Sequence, residues 1–293
     1  MEDFKKILNL NSKEEITNRL LQAFSVNDLK DIFSIDSSIR TQKDIIYNIQ
    51  KGNDDSTIKK QLFKNFNLLK QHIYFFDIQG KVPDNLFKDH QFLYETEVKS
   101  KSHKIFYFLF KEDHTFLNLD IEKIQTLSFY RPVKVVIKGT LAIISINILE
   151  RDLSAIVKAK TAGVNRKSND NGILDSIATF NKSIFFIKKD LNKGIKFLWE
   201  NDTIDAYKVK FKKSKSTSSE IMDEDNLVKK QMPELYKEIM KSPLDITVFK
   251  YLLNDEYLKH FTANPRDGIL SFNTYPTSKE GIETIVKLIV QNN

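Results

Sequence analysis

The sequence predicts an α+β protein: an N-terminal helical module over residues 1–79, then a mainly antiparallel sheet domain packed with helices over 80–293. Three observations lead there. Apolar residues recur at helical spacing through the first 75 positions, runs of strand character begin after Gly80, and short polar turns separate those runs.

The helical elements follow in order. Ser12, Lys13, Glu14 and Glu15 have capping-box spacing and precede Ile16, Leu20, Leu21 and Phe24 at helical intervals. A second helix starts at 25–28 and carries Leu29, Ile32 and Phe33 on one side. Thr41 caps a third, whose stripe is Ile45, Ile46 and Ile49. After the loop 52–56, Ile58, Leu62, Phe66 and Leu69 continue the period.

Beyond Gly80, the runs 92–98 and 105–110 read as a hairpin around 99–104, and 115–119 adds a strand. Residues 133–137 and 141–149 flank the turn Lys138, Gly139 and Thr140. Their near-continuous apolar content predicts a largely buried sheet. Residues 152–160 read as a helix, 161–172 as a polar loop, and 173–202 as mainly helical. The run 207–215 alternates as a strand, with Tyr207, Val209 and Phe211 on one side and Lys208, Lys210 and Lys212 on the other. A flexible loop is expected at 214–225 and helices at 226–241 and 244–259. A strand at 269–273 and a helix at 278–290 follow.

The chain has 293 residues, 41% of them hydrophobic, enough for a sizeable buried core. It contains no Cys, which excludes disulfides, thiol nucleophiles and Cys-ligated metal sites. No apolar run approaches the roughly 20 residues that span a bilayer. A soluble, unexported protein without a membrane partner is expected, in the cytoplasm or, in a eukaryotic cell, the nucleus. The formal net charge is +7, and it is uneven. Residues 1–80 carry 12 Lys/Arg against 11 Asp/Glu, the remainder 34 against 28, so the basic character belongs to the C-terminal body.

Most catalytic signatures are missing: no Gly-rich phosphate loop, HExxH, Gly-x-Ser-x-Gly or dinucleotide fingerprint occurs. His72, His90, His103, His114 and His260 show no metal-ligand spacing. Non-enzymatic action without metal or cofactor is therefore expected. One pattern offers an alternative. Pro83 and Asp84, then Glu97, Val98 and Lys99, resemble the PD-(D/E)xK nuclease motif, in which two carboxylates hold Mg²⁺ and a lysine positions water.

Three basic clusters favour a nucleic acid, and double-stranded DNA in particular. They are Lys99, Lys101 and Lys104; then Lys158, Lys160, Arg166 and Lys167; then Lys208, Lys210, Lys212, Lys213 and Lys215. Alternate lysines on one strand stand about 7 Å apart, close to the phosphate spacing of a nucleic-acid strand. The segment 25–51, a helix, an extended link and a second helix, resembles SAP-like DNA-binding modules, with Lys30, Arg40, Lys43 and Lys51 as phosphate contacts.

The runs 26–33, 41–43, 129–136 and 270–272 with the closing helix resemble the centromere protein N family. That resemblance implies a pyrin-like helical module before a sheet-containing domain, binding to DNA and a nucleosome beside a paralogous partner, and DNA contacts at Lys30, Arg40 and Lys43. The run 252–258 is similar to a segment of KwaB-like phage-defence proteins, which implies a DNA-associated antiviral role. The expectation is a DNA-binding component of a larger assembly, with a protein partner or a homo-oligomer. The alternatives are the Mg²⁺-dependent nuclease and a protein–protein adaptor without nucleic acid.

Overall fold

Each of three N-terminal helices starts where a short polar side chain satisfies a free backbone N–H. A computed structural model describes residues 13–82, 92–99, 103–148, 161–162, 170–179, 184–212, 217–221, 227–252 and 260–293. Helix α1 covers Lys13–Gln22, α2 Val26–Phe33, α3 Gln42–Gly52 and α4 Asp55–Lys64. The Ser25 hydroxyl accepts from the Asp28 N–H and Thr41 from that of Asp44, both at 3.1 Å; Asp54 accepts from Thr57 at 2.8 Å. Ser34, at φ 51°, ends α2 in the left-handed region. Two helices flank a link over 25–51 as the sequence indicates, but the link turns rather than extends: Ser34 is left-handed and the Ile39 N–H donates to the Asp36 carbonyl at 3.1 Å.

The chain divides into two units, Met1–Leu69, Gly80–Val136 and Ile146–Phe185 in the first, Lys70–Gln79, Ile137–Ser145 and Phe186–Asn293 in the second. In the first, Leu21, Leu29, Ile45, Ile49, Ile58 and Leu62 meet in a buried cluster that also takes Leu109 and Tyr130. These last two lie on β3 (Lys104–Asn118) and β4 (Lys123–Lys138), which continue the order β2 (Phe92–Lys99)–β3–β4. The Lys134 ammonium donates to Asn67 Oδ1 at 3.1 Å and lies over the Tyr107 ring, tying sheet to helices.

Arg131 on β4 is completely buried, and its guanidinium is engaged on three sides. Nη1 donates to Glu112 Oε1 of β3 at 2.8 Å, and Nη2 to Asp170 Oδ1 at 2.7 Å, at the start of helix α5 (Asp170–Thr179). Nε and Nη2 both donate to the Asn147 carbonyl at the end of β5 (Leu141–Asn147). One side chain thus joins two neighbouring strands, a strand end and a helix start. A buried charge is tolerated only when it is paired and hydrogen-bonded in this way.

The second unit carries a sheet in the order β5–β1–β12–β11–β10–β8–β9. Its strands are β1 (Gln71–Gln79), β8 (Ile204–Lys212), β9 (Thr217–Ile221), β10 (Thr247–Tyr251), β11 (His260–Asn264) and β12 (Ile269–Phe272). Two short strands stand off this path: β6 (Thr161–Ala162) pairs with β3, and β7 (Phe185–Lys188) with β1. Helices α6 (Asn192–Glu200), α7 (Val228–Gln231), α8 (Pro233–Lys241) and α9 (Lys279–Asn292) contribute Leu198, Val228, Ile239 and Ile285 to one core with the strands. Phe249, Phe261 and Phe272 stack across three neighbouring strands at 5.6–5.7 Å, and Trp199 meets Phe249 edge-on at 5.3 Å. Gly268, at φ 69°, lets β1 close on the turn before β12: a Cβ there would stand 2.5 Å from the Lys189 carbonyl oxygen and 2.9 Å from that of Phe75.

The α+β class holds, and several stretches differ from expectation; Thr161–Ala162 is a strand and a helix begins at Asp170 where a polar loop over 161–172 was expected. Residues 71–79 form β1 rather than extending the helical run, because alternate residues Ile73 and Phe75 bury in the sheet core. Phe185–Lys188 is a strand inside a stretch that reads as helical. Thr217–Ile221 pairs with β8 where a loop was expected; its Thr and Ser residues carry no apolar alternation. Thr247–Tyr251 is a strand rather than a helix, with Thr247, Phe249 and Tyr251 buried at period two. The expected helix 152–160 lies outside the described residues.

Asp205 is buried at the start of β8, where Oδ1 accepts from Trp199 Nε1 at 2.7 Å and from the Ala206 and Lys229 N–H groups. Burial raises its pKa, against the lowering effect of these hydrogen bonds. A raised folded pKa adds stability below the unfolded value of about 3.9 and loses it as pH rises through the folded value. The stability of Asp205→Asn relative to the parent is expected to improve as pH rises from that value towards neutrality; urea titrations at several pH values check the trend. Arg131→Met strands two carboxyls and is expected to lower unfolding free energy by about 3–5 kcal/mol. A urea midpoint unchanged by that substitution would refute the clamp.

Candidate nucleic-acid interface

Alternation along β1, β12, β11 and β10 divides the second unit's sheet into two faces. Phe249 and Tyr251, Phe261 and Ala263, Leu270 and Phe272, and Ile73 and Phe75 point to the helix-covered core. Their neighbours therefore occupy the opposite face. One row across it runs His72, Ser271, Thr262, Val248 and Lys208, each the register partner of the next. Lys250 and His260 form the adjacent pair.

A β-bulge changes this pattern on β8. Val248 pairs with Lys208 and Phe249 with Ala206, so Tyr207 is the extra residue. With Ala206 and Val209 both in the core, Tyr207 and Lys208 are placed together on the face opposite that core. This corrects the sequence-based alternation, which grouped Tyr207 with Val209 and Phe211. The Tyr207 ring meets His260 edge-on, centroids 5.7 Å apart at 73°. Both line a groove of about 130 Å³ with Val248, Phe261, Thr262, Ser271, Asn273 and Thr274.

The lysines of this unit fall into two groups. Lys196 Nζ donates to the Met240 and Ser242 carbonyls at 2.8 Å, at the C-terminal end of α8. Burial depresses its pKa, with Asp190 and Glu200 acting in the opposite sense. Lys229 Nζ donates to the Trp199 and Glu200 carbonyls at the end of α6 and to Asp202 Oδ1 at 2.6 Å. These are cations on helix C-termini, a structural use. Lys208 is exposed and has no ion-pair partner among the described residues, while Lys210 stands 3.9 Å from Asp245 Oδ2. Lys212 ends β8 opposite Thr217.

Of the other expected nucleic-acid contacts, Lys30, Arg40 and Lys43 belong to the helical module. Lys30 Nζ donates to the Ser37 carbonyl at 3.1 Å and so braces the link between α2 and α3, whereas Arg40 and Lys43 are exposed near the start of α3. Lys158, Lys160, Arg166, Lys167 and Lys213 lie outside the described residues. Glu97 and Lys99 occupy alternate positions of β2, paired with Phe106 and Lys104 of β3. Asp84, their partner in the nuclease pattern, lies outside the described residues. Among the described residues no group of three or more His, Asp or Glu is arranged to hold a metal ion, and no helix is long and apolar enough to cross a membrane.

Lys250, His260, Thr262 and Ser271 were not singled out from sequence as nucleic-acid contacts. They come from separate strands, and Thr262 and Ser271 are ordinary strand residues whose common face is set by register. The signal available was the alternation of apolar residues around 269–273, once joined to that around 247–251. No protein-family model matches the chain, and no curated protein matches it significantly.

The division of lysines has a measurable consequence. Lys229→Met is expected to reduce stability by about 1–2 kcal/mol, whereas Lys208→Met stays within about 0.5 kcal/mol of the parent. Chemical denaturation of the two variants compares them directly. Equal losses would mean that Lys208 is structural too.

Proposed function

We propose that the protein binds nucleic acid through the sheet face of its second unit that lies opposite the helix-covered core, without covalent chemistry, as a component of a larger assembly. The observation that carries this reading is the pairing of Tyr207 with exposed Lys208 on that face, with Lys210 and Lys250 on the neighbouring positions. A sheet face that sets lysines beside aromatic rings suits a polyanion whose bases also present flat apolar surfaces. Arg40 and Lys43 of the helical module supply further phosphate contacts by the same logic.

The mechanism is neutralisation of phosphates with release of condensed counterions, so affinity carries little base specificity. Support for a protein partner is separate. The turn between β3 and β4 and the first residues of β4 leave Leu119, Ile121 and Ile124 exposed, Ile124 by 75%. Clustered exposed apolar residues of this kind mark interaction surfaces.

Binding of fluorescent duplex and single-stranded DNA across a salt series tests the reading. Each phosphate-contacting lysine adds about 0.7–0.9 to the slope of log affinity against log salt. Replacing Lys208, Lys210 and Lys250 together by Ala is therefore expected to flatten that slope by about 2–3. Absence of binding at low salt, or a slope unchanged in the triple variant, would rule the surface out.

A further inference from the structure

The sheet face that carries Tyr207 and His260 is too wide to enter a duplex groove. Five strands, β1, β12, β11, β10 and β8, contribute to it. At about 4.8 Å between strands they extend over roughly 19 Å, whereas the major groove is about 12 Å wide and admits a helix or a two-stranded ribbon. Bases inside a duplex therefore stay out of reach of Tyr207 and His260.

The groove itself suits one ring system. Its volume of about 130 Å³ falls below the roughly 300 Å³ at which pockets for drug-sized ligands begin. Two of its lining residues are the aromatic pair Tyr207 and His260, while Thr262, Ser271 and Thr274 bring hydroxyls and Asn273 an amide. That set combines a flat apolar contact with donors and acceptors for the edge of a heterocycle. The cations are placed around it. Lys208 pairs with the groove residue Val248, and Lys250 with the groove residue His260. The two lysines are diagonal neighbours on adjacent strands, about 7–8 Å apart.

The geometry points to a single unstacked base of a single-stranded nucleic acid as the groove's ligand. Tyr207 and His260 contact the ring, the hydroxyls and Asn273 meet its polar edge, and Lys208 and Lys250 take the phosphates on either side. The inference rests on the nucleic-acid reading above and narrows it from polyanion binding to strand selection. The bulge at Tyr207 is the structural device responsible: without the extra residue, Tyr207 and Lys208 would fall on opposite faces.

The test is equilibrium binding of fluorescein-labelled oligo(dT) and of a labelled duplex of equal length to the full chain at low salt. Parent, Tyr207→Leu and His260→Leu are compared, with thermal melts to confirm folding. The parent is expected to prefer oligo(dT), and loss of one base–ring contact to weaken oligo(dT) binding roughly 5- to 150-fold, collapsing the preference. Should Tyr207→Leu fail to fold, His260→Leu decides. Salt-sensitive binding with no strand preference and no effect of either variant overturns the groove and leaves the lysine surface standing. No binding to either probe overturns both.

Discussion

The strands of the second unit bury alternate side chains beneath helices, and this one constraint orders the rest of that unit. Trp199, Phe249, Phe261 and Phe272 form a continuous aromatic layer, and each fully buried large side chain of this kind is worth about 1.5–3 kcal/mol. A slip of one residue in any strand would turn that strand's ring towards the opposite face. Register is therefore held firmly, and with it the composition of the opposite face. Histidine, tyrosine, hydroxyl and lysine side chains meet there because their neighbours are committed to the core. The bulge at Tyr207 is the local departure, and it brings one more aromatic ring to that face.

The first unit answers a different problem. Arg131 has no exposed surface, so its guanidinium must exchange water for protein acceptors. It obtains them from Glu112, Asp170 and the Asn147 carbonyl, groups separated from it by 19, 39 and 16 positions. Such a cluster adds little net stability over an apolar core of the same shape. Its value is directional, because Arg131 makes its four hydrogen bonds only when β3, β4, the end of β5 and the start of α5 pack together.

The chain's positive charge likewise divides by geometry. Lys196 and Lys229 close helix C-termini, Lys30 braces a link, and Lys189 pairs with Asp77 at 2.8 Å. These lysines stabilise the fold, and for Lys189 and Lys229 a carboxylate partner offsets the charge. The net charge of +7 therefore says less about partners than the few lysines left outward on one face, Lys208 foremost.

The sequence by itself determined the α+β class, the N-terminal helices and the closing strand and helix. Those features rest on local signals: the Ser25, Thr41 and Asp54 caps, the stripe Ile45, Ile46 and Ile49, and the alternation of Leu270 and Phe272. It also marked Lys208 and Lys210 as facing away from Val209 and Phe211, since period two is a property of the chain alone. Tertiary structure decided the rest. Thr217–Ile221 becomes a strand only because β8 offers an edge, and Arg131 finds its acceptors only when distant segments pack. The placement of Tyr207 beside Lys208 needs the mismatch between β8 and β10, which neither strand encodes separately. The groove joins residues of separate strands, and register between strands is a physical contact that no single stretch of sequence contains.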